Sequence, residues 1–398
     1  MTTFILIAAL AAAVVVGAEV SARWLMRRRT RYRVWPPGMR LEVRQDPALF
    51  PEVEPRVRFE INADGERGAD VPAHEPGLFR VLTVGGSSVE CYALDQATSW
   101  PGVLERLLNA DEARAFLGAR RVHVGNIGHS GVGSAELEMI LDRVLPNYDH
   151  IDAIIVMVGA STAYHWLEDG APPGRAPSVV PEAALFARHA HQPFGWSPRA
   201  WALVELLRRF RQLWLRPVEV KENVGAWLVA GRKMRAEAKE IRTSLPDASA
   251  VLAHFEHHFR RALRRAMAKT PRVLVVRQPW FHRARYTADE HSRFWHGGIG
   301  RPWKEKVDVY FSLEVINRLL SLIDSRVVSV ANELGLHHLN LLPVLDRGLR
   351  HYYDHDHFTR DGAAVAAEAI AAALTGVEQP RVVERRRKTR PRIPLAAR

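Results

Sequence analysis

A serine near the start of the sequence and an aspartate–histidine pair near its end have the types and spacing that acyl-transfer chemistry needs. Ser87 follows Gly85-Gly86 at the end of Phe79–Val84, an apolar run with β-branched residues that predicts a buried strand. A serine at such a strand-to-helix turn lies at the carboxyl edge of a sheet, where the first helical N–H groups face a reacting group. A glycine turn with a serine N-cap is the alternative interpretation.

The late stretch Tyr353–Gly362 supplies a base and a carboxylate that orients it. Asp354 lies three residues before His357, in the loop ahead of an alanine-rich helix for which Thr359 is the predicted N-cap. In a tight turn this carboxylate reaches imidazole Nδ1, fixes the tautomer and leaves Nε2 free to accept a proton. Ser87, Asp354 and His357 are therefore a candidate triad, in an order that other α/β serine hydrolases also have.

The same stretch allows a metal site as an alternative. Asp354-His-Asp-His357 offers ligand atoms, and a catalytic zinc with three protein ligands would find further partners among His254, His257 and His258. Those three histidines also fit the exposed face of an amphipathic helix. We expect no metal and no organic cofactor, and a metal-dependent hydrolase is the competing hypothesis.

Two more turns follow predicted strands. Val124-Gly-Asn-Ile-Gly-His-Ser-Gly131 follows the second strand, and glycines there allow the backbone to approach a ligand closely. One of its N–H groups is a candidate oxyanion donor, while a plain glycine-rich turn is the alternative. Val158-Gly-Ala-Ser-Thr162 follows the third strand and offers Ser161 or Thr162 to the same edge.

Apolar strands alternate with helices from Phe79 onward, which predicts a doubly wound α/β sandwich, that is, three α/β/α layers around a five-stranded parallel sheet. The predicted strands are Phe79–Val84, Arg121–Val124, Ala153–Val158, Arg272–Val276 and His337–Leu341. The predicted helices are Trp100–Leu108, Ala135–Val144, Val251–Ala268, Ser312–Leu334 and Ala363–Leu374.

Residues 168–248 interrupt this alternation and are predicted to form a helical insertion that could cap the site. Within it, Trp201–Arg216 is amphipathic: its leucines and Phe210 share one face, and Arg208, Arg209 and Arg211 lie largely opposite. We expect this helix to pack its apolar face on its own domain. A position on a membrane interface is the alternative.

Composition restricts the class of protein. The 398 residues are 47% apolar and 25% charged, as in a globular protein, and the formal charge of +12 is concentrated in blocks. Blocks near the apolar N-terminal segment and at the C-terminus favour an anionic surface as a partner, and no nucleic-acid-binding pattern is present. The single cysteine, Cys91, excludes an internal disulfide framework and is expected to be a packed core residue.

Together the motifs resemble those of the SGNH, or GDSL-type, hydrolase superfamily. Gly85-Gly-Ser-Ser88 is similar to its first block, with Ser87 in the place of the nucleophile. Asn126–Gly131 is similar to the second block, whose last residue implies an oxyanion N–H from Gly131. Asp354–His357 is similar to the final Asp-x-x-His block. The resemblance implies a serine esterase acting on short-chain acyl esters, acetyl included, of a carbohydrate or lipid.

One block departs from the family. Its third block is normally Gly-x-Asn-Asp, and the first asparagine donates to the oxyanion, whereas this chain has Gly159-Ala-Ser-Thr162. Ser161 would be that donor, with a shorter reach. Loss of an oxyanion donor costs about 10²–10³ in turnover, so a degenerate binding module of a cell-envelope assembly is the alternative function.

The N-terminal segment predicts a membrane anchor. Phe4–Ala18 is continuously apolar and, with Val20–Ala22, approaches the ~20 residues that span a bilayer. A secretory signal would lack its basic n-region, and a buried helix would rarely precede Arg27-Arg-Arg29. The flanking arginines favour a cytoplasmic domain. Trp35-Pro-Pro-Gly38 and other motifs resemble membrane-tethered bacterial members, which favours the exported side.

The predicted organisation therefore has four parts. Residues 1–26 form the anchor, residues 27–76 a surface linker, residues 77–376 the hydrolase-type domain with its insertion, and residues 377–398 a basic tail. The expected partners are an acyl-ester substrate and the membrane.

Overall fold

A computed structural model describes residues 1–28, 32–72, 75–187, 201–222, 225–345 and 348–376. The predicted basic tail lies outside these described residues. The helices are α1 Thr2–Arg28, α2 Ser87–Glu90, α3 Trp100–Leu108, α4 Asp111–Leu117, α5 Ser134–Val144, α6 Ala160–Glu168, α7 Glu182–Leu185, α8 Ala202–Leu215, α9 Ala226–Ala236, α10 Ser249–Lys269, α11 Ala288–Ser292, α12 Leu313–Glu333 and α13 Arg360–Thr375. The strands are β1 Arg40–Arg44, β2 Arg56–Glu60, β3 Leu78–Gly85, β4 Arg121–Asn126, β5 Ala153–Met157, β6 Val218–Lys221, β7 Glu240–Arg242, β8 Val273–Arg277, β9 Val309–Phe311 and β10 His337–Asn340.

The central sheet has the order β10–β8–β5–β3–β4, and all its strand pairs are parallel. Each strand coincides with one of the five predicted apolar runs to within two residues. Strand β5, with the sequence AIIVM, is buried at every position, as expected for a strand with helices on both sides. The prediction of a five-stranded parallel sheet is confirmed.

Helices cover both faces of this sheet. The chain leaves β3 for β4 in one direction and then crosses back to β5, β8 and β10 in the other. Right-handed crossovers in opposite directions place their helices on opposite faces. Accordingly, α3 packs with α13, whereas α10 packs with α5 and α12. The protein is the predicted three-layer sandwich, and the direction of winding reverses beside β3, where open α/β sheets keep their sites.

A second, smaller sheet joins the predicted linker to the insertion. Strand β1 pairs antiparallel with β2 and parallel with β6. Val43, Val57 and Phe59 are fully buried beneath it, while the intervening charged side chains face outward. The linker segment therefore contains two strands that the sequence analysis did not predict, and they fasten it to the insertion.

Helix α1 is long and apolar enough to cross a membrane by length and composition, over Thr2–Leu25. None of the most apolar part of it is buried against the rest of the chain. Near its C-terminal end it packs against α8 of the insertion.

Candidate active site

The serine of the first motif lies where β3 ends and α2 begins. Gly85 is the last residue of the strand, and a Cβ placed on it would fall 1.9 Å from the carbonyl oxygen of Met157 on the neighbouring strand β5. Only glycine fits there. Gly86 is the N-cap, so Ser87 is the first residue of α2, and a first helical residue has no intrahelical partner for its N–H.

The structure brings Ser87, His357 and Asp354 together. Ser87 Oγ lies 2.7 Å from His357 Nε2, and His357 Nδ1 lies 2.8 Å from Asp354 Oδ2. Asp354 and His357 lie in the loop before α13, and the Thr359 side chain caps that helix by accepting from the Gly362 N–H, as predicted. The geometry is that of a serine nucleophile beside an oriented general base.

Asp354 is held as a carboxylate by several donors. It is fully buried, and it accepts from the backbone N–H groups of Asp356 and His357 and from the indole N–H of Trp295 over 2.9 Å. Burial opposes ionisation, but the positive charge on His357 and these hydrogen bonds outweigh it and lower the pKa of Asp354 well below its usual range. The carboxylate is therefore charged at neutral pH.

The imidazole of His357 has the opposite shift. Burial alone would lower its pKa, but the carboxylates of Asp354 and Asp356 outweigh burial and raise the pKa of His357 to about 9. A base of this strength accepts a proton readily once it is neutral, and it is neutral only at alkaline pH.

A second buried carboxylate, that of Asp356, lies beside His357. Asp356 Oδ1 is 3.6 Å from His357 Nδ1 and 3.4 Å from His296 Nε2, and Tyr164 and Ser88 donate to the same side chain. Burial raises the pKa of Asp356 to about 6. From the sequence Asp356 is only a potential metal ligand, and its contact with His357 is a finding of the structure.

Among the residues that the structure describes, one cluster of histidine and aspartate side chains could hold a metal ion. Ligand atoms of His296, Asp354, Asp356 and His357 lie within 4.8 Å of one another. Asp354 already has hydrogen-bond partners in Nδ1 of His357 and the indole N–H of Trp295, so its buried charge does not need a cation as a partner. The proposed partners His254, His257 and His258 are instead on α10, where His258 Nδ1 contacts Glu138 over 2.7 Å. His355 is buried between Tyr164 and Asn317.

The predicted oxyanion residues border the same cavity as the serine. Gly131 has a φ of +81°, a conformation that favours glycine, and it lines the cavity with Ser87 and Ser161. The Ser161 hydroxyl lies 3.1 Å from the position of a Cβ on Gly86. Among the described residues no asparagine lines this cavity, and the amide of Asn126 donates to the Val89 carbonyl. Ser161 therefore has no asparagine substitute in the described part of the chain.

The cavity has a volume of about 1030 Å³ and a largely apolar lining. Trp295 and Trp303 line it, and Trp227 of α9 completes an aromatic wall in which Trp227 contacts both rings. Trp280 is buried away from this cavity, between β8 and α12. The insertion contributes Val179, Val180, Pro181, Ala184, Trp227 and Leu228 to the wall.

Cys91 is a packed residue. Its side chain is buried and donates to the Ser88 carbonyl, and burial raises the pKa of its thiol to about 12. A thiol with this pKa is not a thiolate at neutral pH, so it has no nucleophilic form to offer.

No protein-family profile and no curated protein matches the chain. Among solved structures, it is similar to an α/β hydrolase enzyme from the metagenome of Lake Arreo, Spain, at 14% identity and a TM-score of 0.39, covering 75% of this chain and 95% of that one. It is also similar to an acetylxylan esterase from Geobacillus stearothermophilus, at 11% identity and a TM-score of 0.40 with the same coverage. A third, from Desulfitobacterium hafniense DCB-2, is described as lipolytic and of the G-D-S-L family, at 12% identity and a TM-score of 0.35, covering 73% of this chain and 97% of that one. These matches include the GDSL-type hydrolases that the motifs resemble. At such identities and TM-scores they carry no conclusion about activity or substrate.

Proposed function

We propose that this chain is a membrane-anchored serine esterase of the SGNH type that cleaves an O-acyl ester of a carbohydrate or a lipid. The observation that carries the proposal is the continuous hydrogen-bonded path from Ser87 Oγ to His357 Nε2 at 2.7 Å and from His357 Nδ1 to Asp354 at 2.8 Å. A serine hydroxyl is a poor nucleophile by itself, and an adjacent base of this kind activates it.

In the proposed reaction Ser87 Oγ attacks the ester carbonyl while its proton passes to His357 Nε2. The Ser87 and Gly131 N–H groups and the Ser161 hydroxyl stabilise the oxyanion that forms. Collapse of the tetrahedral intermediate breaks the ester C–O bond, and His357 returns the proton to the departing alcohol. Water then attacks the acyl-enzyme by the same route and releases the acid. Asp354 orients His357 throughout and stays ionised.

The substrate class comes from the sequence motifs and from the cavity. The SGNH resemblance implies an acyl ester of a sugar or a lipid, and the aromatic wall of Trp227, Trp295 and Trp303 suits the apolar faces of either. The N-terminal helix is proposed to hold the domain at a membrane, as a retained anchor rather than a cleaved signal.

The proposal is tested with a fluorophosphonate probe and a p-nitrophenyl ester series on the full-length protein in detergent. Wild type should react with the probe and hydrolyse a short-chain ester, and Ser87→Ala should lose both. Ser178→Ala removes another hydroxyl from the cavity wall and should keep both activities. Unchanged turnover in Ser87→Ala would show that the nucleophile is misassigned.

A second candidate function is a degenerate module that binds an acylated glycan without cleaving it. Ser161 in the place of the oxyanion asparagine is the observation that favours it. In that case a folded wild type would not react with the probe. It would bind an acetylated glycan as tightly as Ser87→Ala does, and neither protein would turn it over.

A further inference from the structure

Helix α8 turns its apolar side chains outward. Val204, Leu207, Phe210, Leu213, Trp214 and Leu215 are between 40% and 76% exposed. The face directed inward carries the buried Ala202 and Glu205 and the partly buried Arg209. A helix that packs on a soluble domain has the reverse arrangement, with its apolar stripe inside. The expectation that this helix packs its apolar face on its own domain holds for Leu203 and Leu206, which pack near α1, and is wrong for the rest of the face. That remainder is largely uncovered within the described part of the chain.

The start of α8 is fastened to the candidate transmembrane helix. Both carboxylate oxygens of Glu19 on α1 accept backbone N–H groups of α8, from Ala202 and Leu203 at 2.9 Å each. These are N–H groups that a helix start leaves without intrahelical partners. Ala22 of α1 is buried against Ala202, with Leu203 and Leu206 packed beside them. The contact lies about 9 Å along the α1 axis from Leu25, near the end of its apolar stretch.

The residues around the outward face have the chemistry of a lipid interface. Trp24 near the end of α1, and Trp201 and Trp214 at the two ends of α8, are all exposed. Tryptophan is enriched at the level of the lipid headgroups. Arg208 and Arg211 are exposed along the edge of the apolar strip, where long basic side chains reach anionic headgroups while their stems cover apolar surface.

We propose that α8 lies in the headgroup region of the same bilayer that α1 crosses, with Leu207, Phe210 and Trp214 directed towards the acyl chains. The continuity with α1 selects lipid as the cover of this face. An interfacial helix lies at the level of the headgroups, where a membrane-spanning helix leaves the hydrocarbon core. Glu19 joins α1 to the start of α8 at this level.

The proposed contact fixes the height of the cavity above the membrane. Strand β6 follows α8 directly and pairs with β1, so α8 is tied into the small sheet. The turn at Gly38 lies against the last turn of α8, and nearby Trp35 donates to the Gly128 carbonyl and packs on the His129 ring. Two residues further on is Gly131 at the cavity. A site held in this way meets esters presented at the lipid surface.

The experiment measures lipid contact along α8 in the full-length protein. Single cysteines at Leu207 and Trp214 are labelled with an environment-sensitive fluorophore and reconstituted into phosphatidylcholine–phosphatidylglycerol vesicles, with and without lipids that carry a nitroxide on the acyl chain. Cys91 stays in place, because it is buried and its thiol has a pKa of about 12, and an unsubstituted blank checks that it does not react. Val14 in the middle of α1 is the reference within the span. Phe116 on α4, an exposed apolar side chain on a different helix, is the matched control.

Nitroxide lipid should quench the label at positions 207 and 214 about two-fold or more, as at position 14, and leave position 116 unchanged. Unquenched, water-like emission at both α8 positions overturns the proposal whatever position 14 reports. The same result is expected if a membrane protein, rather than lipid, covers this face, because the vesicles contain no other protein and the face would then remain in water. Circular dichroism identical to wild type verifies that each labelled variant is folded.

Discussion

The indole N–H of Trp295 donates to Asp354 Oδ2 over 2.9 Å, on the carboxylate that also holds Nδ1 of His357. The same indole lies against the His296 ring, with 3.9 Å between ring centroids, and forms part of the cavity wall. One side chain thus borders the cavity beside Ser87 and supplies a hydrogen bond to the buried carboxylate of the proposed triad. Asp354 would lose a donor, and not merely a neighbour, if that side chain changed.

Trp295→Phe keeps an aromatic ring in the wall and removes the donor. A hydrogen bond to a charged group contributes about 1.5–3 kcal/mol, so we expect kcat to fall about ten-fold or more. Trp303→Phe alters a ring in the same wall that does not touch Asp354, and it should change kcat less than about two-fold. The measurement is steady-state hydrolysis of a p-nitrophenyl ester. Equal losses in the two variants would assign the effect to packing in the wall.

The pKa of His357 predicts the pH dependence of the reaction. The base must be neutral to accept the Ser87 proton, and a pKa of about 9 leaves it protonated in most molecules at pH 7. We expect kcat/KM to rise with pH, to be half-maximal near that pKa and to reach a plateau above it, with activity at pH 7 about a hundred-fold below the plateau. A plateau already reached at pH 7 would contradict the coupling of His357 to the two carboxylates.

The two carboxylates beside His357 should respond differently to loss of charge. Asp356→Asn removes one of the charges that raise the pKa of His357, so the alkaline rise should move to lower pH with the plateau largely kept. Asp354→Asn replaces the carboxylate that orients Nδ1–H with an amide that can donate to Nδ1 and favour the wrong tautomer, so it should lower the plateau by about 10⁴. The full pH profiles of both variants provide the check, and a similar loss of plateau in each would place Asp356 in the catalytic machinery as well.

Ser161 is the predicted side-chain donor of the proposed oxyanion site. Ser161→Asn restores the side chain of the family pattern and should raise kcat, while Ser161→Ala removes the hydroxyl and should lower kcat by about ten-fold or more. KM should change little in both, because the oxyanion exists only in the transition state and the intermediate. Reaction rates with the fluorophosphonate give an independent reading. No gain from asparagine would mean that the third donor comes from elsewhere or is not needed.

Much of the fold was predictable because its signals are local. The strands of a parallel sheet are buried on both faces, so they stand out as continuous apolar runs, and the glycines before Ser87 mark where β3 ends. Strands β1, β2 and β6 were missed for the opposite reason. They are short and alternate apolar residues with charges, and the pairing of β1 with β6 joins distant parts of the chain, as Arg40 and Val218 show. Such a segment looks like a charged linker until its partner is known.

In the candidate site, too, the local contacts could be predicted from the sequence and the distant ones could not. Asp354 and His357 are three residues apart, so their contact could be inferred from spacing. The Trp295 hydrogen bond depends on how a loop without regular structure folds back on that turn, which no periodicity encodes. Asp356 is adjacent to His357 in the sequence, but its place in that turn does not by itself show that its side chain faces the imidazole. For α8 the sequence revealed an apolar face, but a helical period cannot tell whether protein or lipid covers it.

A buried ionic cluster joins the segment that contains Glu66, within the predicted linker, to strands β3 and β4 of the central sheet. This cluster should make part of the protein's stability depend on pH. Glu66 lies beneath β4, 2.8 Å from His123 Nε2, and Arg80 of β3 contacts the same carboxylate at 3.3 Å. Burial opposes the charge on Glu66, but His123 and Arg80 outweigh it and lower its pKa to about 2. Burial likewise opposes the charge on His123, but Glu105 and Glu66 raise its pKa to about 9.

Glu66→Gln should therefore reduce the free energy of unfolding by about 3 kcal/mol, since it deprives a buried imidazolium of one of its two carboxylate partners. The His123 contribution is complete below its unfolded pKa of 6.5 and is lost as the pH rises through about 9. The Glu66 contribution is complete above 4.5 and is lost as the pH falls towards about 2. Urea titrations should thus give the largest difference between wild type and Glu66→Gln near pH 5.5 and a smaller difference near pH 9.5.

The control is Glu75→Gln, which removes the half-exposed ion pair with Arg121 and should reduce the free energy of unfolding by less than about 1 kcal/mol at either pH. A Glu66→Gln deficit that does not depend on pH would mean that the side chain stabilises the protein by shape and hydrogen bonding rather than by charge.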